Sequence, residues 1–271
     1  MHAVQNIVRV ALGMAWTAIL GIPLLVVLYA RYLVALLARG LGARDWASAE
    51  IDRNAVSAGV VAQRWWAPAL IRLARIRVNR IDRDSIDWSR SHVICANHAS
   101  IFDIIALVSV VPVPFRFVAK PELLKWPIIG WALHPTGQIV IDRSDRAAAI
   151  EAIEREVRDG LQGQVIFFVE GTRSRDGRLR RFKKGAFHFA LDHGLPLLPT
   201  AICGSHGVLG RTVWWKMHGG REIEVVFRSP IDPESLLAGA DKPARLEAGI
   251  EAVRRAIGDE LARRERTQRT A

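Results

Sequence analysis

The sequence is poor in cysteine, and this scarcity excludes whole classes of protein. Only two of the 271 residues are cysteines, Cys95 and Cys203, and neither belongs to a Cys-x-x-Cys or Cys-x-x-His pattern. Such usage excludes a disulfide-stapled secreted fold and provides no zinc site. We therefore predict a reducing compartment and no metal site. Internal repeats and low-complexity segments are also absent from the sequence.

Acidic residues are the second shortage. There are 27 of them against 38 lysines and arginines, which gives a formal net charge of +11. This balance favours anionic partners: nucleic acid, an anionic membrane surface, phosphorylated substrates or an acidic carrier protein. Charge alone does not choose among them. Because half of the residues are hydrophobic, the composition excludes a disordered chain and allows a sizeable core.

The longest apolar run lies near the N-terminus. Residues 10–30 carry no charged side chain, and as a helix they are just long enough to span a hydrocarbon core. A buried core helix is one alternative. A signal peptide is another, but the run is too long and no small-x-small cleavage site follows it. Pro23 argues against one straight helix, which leaves a single kinked span or a helical hairpin that dips into one leaflet.

Hydrophobic periodicity predicts an α/β fold. Strands that alternate with helices indicate a mixed, largely parallel sheet flanked by helices. The basic tail from Arg263 is expected to fray. The tryptophan pairs at 65–66 and 214–215 are expected in the core, with an interfacial position as the alternative. The predicted strands are at residues 75–81, 92–96, 115–119, 138–142, 164–169, 197–202 and 222–227, and the predicted helices are at 54–74 (broken), 101–110, 145–159, 183–193 and 243–262.

The stretch "VICANHASIFDII" (93–105) interrupts an apolar strand-to-helix segment with polar side chains. If His98 lies in the turn before the helix, its imidazole can fold back onto Asp103, an arrangement typical of a general base. The turn would lie at the carboxyl end of a strand, where open α/β sheets bind ligands. The alternative is structural, since Ser100 and Asp103 also fit a capping box in which Asp103 only caps the helix. The spacing alone leaves both interpretations open.

Cations stand where three other predicted strands end. Arg173 follows Glu170 at one strand end, where backbone donors and a guanidinium can hold a phosphate. Lys120 and Arg143 lie at the ends of two further strands. We therefore predict that these three cations and His98 lie together at one electropositive opening, the mouth of the site. Residues 173–184 contain seven cations and one acid, for which a solvated basic loop is the alternative.

Four motifs in a fixed order resemble those of the glycerolipid acyltransferases that acylate lysophosphatidic acid, the 1-acyl-sn-glycerol-3-phosphate acyltransferases. The motifs lie roughly within residues 92–205, and the N-terminal and C-terminal portions carry none of them. They are N-H-x-S-x-x-D at 97–103, G-x-I-x-I-D-R at 137–143, E-G-T-R-S at 170–174 and the proline-containing strand LPLLPTAI at 195–202, with K-P-E-L at 120–123 before the second.

The resemblance implies an acyltransferase that moves a fatty acyl group from an acyl thioester to the free hydroxyl of 1-acyl-glycerol-3-phosphate. The product is phosphatidic acid for phospholipid biosynthesis. His98 would be the catalytic base and Asp103 would hold its tautomer, with no acyl-enzyme. The acceptor phosphate would be bound by Arg173, Lys120 and Arg143.

The resemblance also implies a set of supporting residues. Glu170 would orient the arginine or the acceptor hydroxyls, backbone donors near Gly171 would stabilise the oxyanion, and Pro199 would shape the site. The full supporting set is Asn97, Ser100, Glu170, Gly171, Thr172 and Pro199.

The implied partners are membrane lipids, lysophosphatidic acid, and acyl-CoA or an acyl carrier protein as thioester co-substrate, with no other cofactor and no nucleic acid. A membrane-anchoring segment over residues 1–45 would hold an acyltransferase domain over residues 46–271 at the cytoplasmic face of the inner membrane. Another lysolipid, such as a lyso-ornithine lipid, is an alternative acceptor. A membrane-anchored basic binding protein is a more distant alternative, and a serine hydrolase is disfavoured because "CGSHG" (203–207) does not fit G-x-S-x-G.

Overall fold

A computed structural model describes residues 2–43, 61–126, 129–133, 136, 138–141, 163–209, 218–233, 235–236 and 241–270. Within these residues the strands form one seven-stranded sheet, and each lies where periodicity predicted a strand. The strands are β1 (Arg77–Asp82), β2 (Val93–Ala96), β3 (Phe115–Ala119), β4 (Ile139–Val140), β5 (Gln164–Phe168), β6 (Leu197–Cys203) and β7 (Glu222–Phe227).

The order of the strands across the sheet is β1-β7-β6-β2-β5-β3-β4. Only β6 and β7 pair antiparallel among the described strands, and the other neighbours are parallel. The predicted mixed, largely parallel sheet is therefore confirmed. Because β2, β3, β5 and β6 run in the same direction, the segments that follow them leave from one edge of the sheet.

The helices occupy most of the predicted positions, and α3 and α5 begin within two residues of the expected starts. The helix predicted over residues 145–159 lies outside the described residues. The helices are α1 (His2–Gly40), α2 (Ala67–Ala74), α3 (Phe102–Val110), α4 (Ile129–Leu133), α5 (Gly185–His193), α6 (Ser205–Val208) and α7 (Lys242–Thr270), with a π-helical turn (Ala62–Trp66) before α2 and a 3-10 turn (Pro121–Lys125) before α4.

Helices pack on both faces of the sheet. One core contains Phe187 of α5 and Val253 of α7, and the other contains Phe102 of α3 and Ala67 of α2. Successive residues of β2 alternate between the two cores, and all four are buried. The turn after β2 therefore starts from a strand that is packed on both sides.

The N-terminal segment is one continuous helix, α1, with Pro23 inside it. Of the two alternatives, the hairpin is therefore wrong, because a proline removes one backbone hydrogen bond while the turns on either side keep theirs. A helix of 39 residues is about 58 Å long at 1.5 Å per residue. Its stretch Val4–Gly40 could cross a membrane by length and composition, and only 11% of its most apolar window is buried, unlike a core helix. The predicted boundary at residues 45 and 46 lies outside the described residues.

Two tryptophans join the π-helical turn to α1. The indole Nε1 of Trp66 donates a hydrogen bond to Thr17 Oγ1 at 3.0 Å, and Trp16 Nε1 donates to the carbonyl of Trp65 at 3.3 Å. The prediction of a core position is wrong for Trp65, whose surface is 59% exposed. Neighbouring residues on a helix point about 100° apart, so only one indole of the pair faces inward. Residues 214–215 lie outside the described residues.

The last helix, α7, continues to Thr270, so the predicted fraying from Arg263 is wrong. The guanidinium of Arg264 donates to Glu222 at 2.9 Å and also to Glu224, both on β7. These carboxylates come from a distant part of the sequence. They hold the basic end of α7 against the sheet, a contact that the local pattern does not contain.

Candidate active site

His98 lies in the turn between β2 and α3, and its imidazole folds back onto Asp103 in the first turn of α3. His98 Nδ1 is 2.8 Å from Asp103 Oδ2. The Asp103 side chain is fully buried, whereas the His98 side chain keeps 13% exposure and lines a cavity. The structure thus forms the pair that the spacing made possible and places its imidazole at a cavity wall.

Asp103 also caps its own helix. Its Oδ2 accepts hydrogen bonds from the backbone amides of Ala99 and Ser100, at 2.7 and 2.8 Å. Ser100 Oγ in turn accepts from the amide of Phe102 at 3.3 Å, which completes a local capping arrangement. Capping and histidine orientation are therefore two uses of one carboxylate oxygen. The capping contact and the His98–Asp103 contact are both present, and the role of His98 as a general base stays a prediction.

Asn97 and Ser100 fix the turn on either side of His98. Asn97 Nδ2 donates to the carbonyl of Ile202 at 3.0 Å, and its Oδ1 accepts from the Ile202 amide at 2.7 Å. Ser100 Oγ donates to the carbonyl of Leu209 at 2.7 Å. Both side chains are buried. These hydrogen bonds connect the turn that contains His98 to β6 and to the segment that follows β6.

Glu170, just beyond β5, holds the backbone of His98. Its Oε1 accepts from the His98 amide at 2.8 Å, and its Oε2 accepts from the Arg180 amide at 2.9 Å. The residue is 4% exposed; burial raises the pKa of the carboxyl, and the two amide hydrogen bonds oppose that rise. Both carboxylate oxygens therefore accept main-chain amides, and the expected orientation of an arginine or of acceptor hydroxyls by Glu170 stays a prediction.

The segment after Glu170 turns back beside the histidine. Gly171 has φ +74°, a conformation that glycine adopts without strain. Its amide donates to the carbonyl of Phe168 at 2.9 Å, and the amide of Ser174 donates to the carbonyl of His98 at 2.7 Å. Thr172 and Arg173 therefore lie between two fixed points. The Gly171 amide closes the turn, so the oxyanion donors near Gly171 stay a prediction.

A cavity of about 570 Å³ opens beside the imidazole, a volume within the usual range of ligand pockets. Its polar wall is formed by His98, Lys120, Gly171, Thr172 and Arg173. The rest of the lining is largely apolar. It includes Leu20 and Leu24 of α1, Trp66, Phe115, Leu123 and Leu133. The sequence predicted α1 only as an anchor, whereas the structure also makes it a wall of the cavity.

The structure brings two of the three predicted phosphate ligands to this cavity. Lys120 follows β3 and Arg173 follows β5, and both line the cavity with His98. Arg143 lies outside the described residues. Pro199 is in register with Cys95 in the interior of the sheet and is buried, and its role in shaping the site stays a prediction.

An aromatic residue beside the histidine was not singled out by the sequence. Phe168 ends β5, and its ring stacks on the His98 imidazole with centroids 3.9 Å apart and planes inclined by 17°. Phe117 of β3 lies nearly parallel to Phe168 at 6.0 Å. The one available signal was the place of Phe168 two residues before Glu170. The register that sets Phe168 beside Ala96 of β2 cannot be read locally.

These contacts determine what the imidazole can do. A carboxylate only accepts hydrogen bonds, so Nδ1 carries the proton and Nε2 remains to accept another one. An imidazole held in this way has the geometry that a general base for a hydroxyl group in the cavity requires. Lys120 and Arg173 on the cavity wall attract an anionic group. The fold and the site thus have the features of a group-transfer enzyme that could activate a hydroxyl group of an anionic, partly apolar acceptor.

Comparison with known proteins identifies this class as acyltransferases. The Acyltransferase family profile matches residues 76–203, a range that contains the polar wall of the cavity. The crystal structure of the 1-acyl-sn-glycerophosphate (LPA) acyltransferase, PlsC, from Thermotoga maritima has a similar fold. It has a TM-score of 0.68 and 22% sequence identity, and the similarity covers 98% of each chain.

Named relatives identify the family more narrowly. A 1-acyl-sn-glycerol-3-phosphate acyltransferase of Haemophilus influenzae is 30% identical over 167 residues, which cover 60% of this chain and 68% of the relative. The chloroplastic 1-acyl-sn-glycerol-3-phosphate acyltransferase BAT2 of Brassica napus is 34% identical over 140 residues; the match covers 51% of this chain and spans only 40% of the relative. The chain belongs to the 1-acyl-sn-glycerol-3-phosphate acyltransferase family, as its motifs predicted.

Proposed function

We propose that the protein is a 1-acylglycerol-3-phosphate O-acyltransferase that makes phosphatidic acid from lysophosphatidic acid and an acyl thioester, for phospholipid biosynthesis. The observation that carries the proposal is the His98–Asp103 pair, at 2.8 Å, on the wall of a cavity that also contains Lys120 and Arg173. The names of the relatives support the same reaction.

The chemistry follows from the imidazole. His98 Nε2 takes the proton of the acceptor hydroxyl as its oxygen attacks the thioester carbonyl, and Asp103 stabilises the imidazolium that forms. The tetrahedral intermediate collapses, the C–S bond breaks, and the leaving thiolate takes the proton from His98. An ester is formed directly, without an acyl-enzyme. Proton transfer of this kind contributes about 10²–10⁴-fold to the rate.

The acceptor phosphate binds at the polar wall. Arg173 presents a planar guanidinium that matches two phosphate oxygens, and Lys120 adds a second positive charge. Arg143 is a third candidate from the motif. The rest of the cavity lining, which includes Leu24 and Leu133, is largely apolar. It receives the acyl chain of the acceptor, because burial of that chain there removes apolar surface from water.

The donor is proposed to meet the basic segment at residues 175–184. Arg175, Arg178 and Arg181 are exposed there, so they can contact phosphates outside the cavity. Both coenzyme A and the phosphopantetheine group of an acyl carrier protein present phosphate next to the thioester arm. The charge of the segment supports both donors equally, and the assay below separates them.

The protein is proposed to work on the cytoplasmic face of the inner membrane, with α1 in the lipid. Outside α1 and Leu41, the exposed large hydrophobic residues of the described chain are all tryptophans, Trp65, Trp126 and Trp131. Each belongs to a segment that also lines the cavity. Tryptophan favours the membrane–water interface, so these side chains support a cavity mouth that faces the lipid headgroups.

The proposal is tested with the full chain in detergent or lipid vesicles. Acyl-CoA and oleoyl-lysophosphatidic acid are supplied, and free thiol and phosphatidic acid are measured together; a parallel reaction uses an acyl carrier protein thioester. We expect equal amounts of thiol and phosphatidic acid. His98→Gln, with its fold checked by circular dichroism, should form neither product above background.

The outcomes separate the alternatives. If both donors fail with lysophosphatidic acid but one supports acylation of another lysolipid, the acceptor assignment is wrong and the acyl transfer stands. If a folded His98→Gln variant is as active as the wild type, His98 is not the base. A protein that is inactive with every donor and lysolipid, yet binds anionic vesicles, would be a basic binding protein.

A further inference from the structure

The face of the His98 imidazole is covered by an aromatic ring that the reaction described above does not use. Phe168 stacks on it with ring centroids 3.9 Å apart and planes inclined by only 17°. Asp103 contacts the ring edge through Nδ1, at 2.8 Å. The imidazole is therefore held along one edge by a carboxylate and on one face by a π system.

We propose that Phe168 is a positioning residue that stabilises the protonated form of His98 during acyl transfer. The inference rests on the proposed general-base function of His98. The face of a benzene ring carries a negative electrostatic potential, which attracts a cation placed over it. Such a contact operates within about 6 Å of the ring centroid, and the distance here is 3.9 Å.

The contact acts on the transition state because the imidazole gains its positive charge as it takes the proton. A neutral imidazole gains little from the electrostatic part of the stack. As Nε2 takes the proton, the ring becomes a cation next to Phe168, in a site where the histidine is only 13% exposed. An interaction that strengthens in the transition state raises kcat rather than lowering KM.

Phe168 is well placed to keep this geometry. It is in register with Ala96 of the adjacent strand β2, and Ala96 lies two residues before His98. The carbonyl of Phe168 accepts the Gly171 amide at 2.9 Å. The phenyl ring is therefore carried by a strand in the interior of the sheet, and the imidazole by the turn that follows the neighbouring strand β2.

Other charges border the imidazole, and the test must leave them unchanged. They are Asp103 on α3, Glu170 and Arg173 after β5, and Lys120 after β3. Phe168→Leu alters none of these groups. It keeps an apolar side chain, which limits the entry of water, and removes only the π face. Phe168→Tyr keeps the π face and serves as the rescue variant.

The experiment measures kcat and kcat/KM against pH for wild type, Phe168→Leu, Phe168→Tyr and Phe117→Leu. For Phe168→Leu we expect kcat to fall about 2- to 30-fold. The acid limb of the kcat/KM profile should move to lower pH by about 0.4–1.5 units, because the imidazolium has lost its partner. Phe168→Tyr should restore both quantities toward wild type. Phe117→Leu, which changes the next ring of the same cavity wall, should leave the acid limb in place.

A second readout does not depend on turnover. The His98 ring proton between the two nitrogens is followed by NMR in detergent, and assigned by its absence in His98→Gln. Its titration midpoint should move to lower pH in Phe168→Leu and remain in Phe117→Leu. Its resonance should also lose the ring-current shift that stacking causes.

The two readouts distinguish the possible failures. A wild type that turns over no acyl thioester defeats the proposed function, while the NMR titration still tests the contact. If Phe168→Leu is folded and its acid limb and NMR midpoint both stay in place, Phe168 does not stabilise the imidazolium. A change confined to KM or acyl-chain preference would show that Phe168 only lines the cavity.

Discussion

Oε1 of Glu170 accepts the backbone amide of His98 at 2.8 Å, so two motifs that are far apart in the sequence share one hydrogen bond. The other oxygen of Glu170 holds the amide of Arg180 at 2.9 Å. One buried carboxylate thereby links the turn that contains His98 to Arg180 in the basic segment. In this structure Glu170 contacts the main chain of His98, and its expected contact with the acceptor stays a prediction.

Glu170→Gln tests this support. A glutamine has one acceptor oxygen and one NH2 group, so the backbone amide of His98 or of Arg180 loses its partner. We expect the free energy of unfolding to fall by about 1–3 kcal/mol and kcat to fall, while KM for lysophosphatidic acid changes little. Urea unfolding and steady-state kinetics measure these quantities. An unchanged kcat with a strongly raised KM would instead place Glu170 on the acceptor.

The two uses of Asp103 can be separated by substitution. Asp103→Asn keeps an oxygen that can accept the amides of Ala99 and Ser100, but it removes the charge that orients and stabilises the imidazole. We expect near-native stability and a kcat lower by about 10²–10⁴-fold. Asp103→Ala removes the cap as well and should also lower the unfolding free energy by about 0.5–2 kcal/mol. Equal kcat values for wild type and Asp103→Asn would leave Asp103 as a helix cap only.

The part of the fold that could be predicted is the part written in local patterns. The pattern of apolar residues predicted the position of each strand that the structure describes. The polar break at residues 97–103 predicted the turn that contains His98 and Asp103. The cations after β3 and β5 were expected at one mouth because parallel strands end at the same edge of a sheet. The cavity confirms this for Lys120 and Arg173.

Contacts between distant segments could not be predicted. The stack of Phe168 on His98 depends on the pairing of β5 with β2. The helical end of α7 likewise depends on a distant contact, since the carboxylates that Arg264 binds lie on β7. The exposure of Trp65 follows from which side of the π-helical turn contacts α1. In each case the partner, and not the residue itself, decides the outcome.

An ion cluster away from the cavity predicts how acid affects stability. Glu260 of α7 is 3% exposed and is bonded by Arg83 and Arg228, at 2.9 and 2.6 Å. Burial acts to raise the pKa of Glu260, but the hydrogen bonds from the two arginines outweigh it and hold the pKa below its ordinary value. The stability from this group is therefore present above the unfolded-state pKa and is lost as pH falls through the folded-state pKa.

Glu260→Gln should thus be less stable than wild type at neutral pH, and the difference should shrink as the solution is acidified. Urea unfolding across this pH range measures the difference directly. Glu251→Gln, which alters a solvent-exposed carboxylate of the same helix, is the matched control and should show a difference near zero throughout. A wild-type advantage that stays constant on acidification would contradict the linkage.

The cations at the cavity wall make a separate prediction for acceptor binding. Arg173→Ala removes a guanidinium that we propose to bind the acceptor phosphate, and such charge-assisted hydrogen bonds contribute about 1.5–3 kcal/mol. We expect KM for lysophosphatidic acid to rise by about 10- to 150-fold. Arg255→Ala removes an arginine whose side chain is 72% exposed on α7 and should leave KM unchanged. A KM that is equal in both variants would remove Arg173 from the phosphate site.

The exposed tryptophans near the cavity predict a dependence on how the acceptor is presented. Trp126 and Trp131 are 47% and 51% exposed, and we expect them to enter the lipid interface. Trp126→Ser combined with Trp131→Ser should lower the rate with vesicle-borne lysophosphatidic acid about tenfold or more, because apolar surface is withdrawn from the lipid. A short-chain lysophosphatidic acid, monomeric in water, should be acylated by the variant at the wild-type rate. Equal losses with both acceptors would mean that the substitutions damage the cavity, and no loss with either would place these indoles in water.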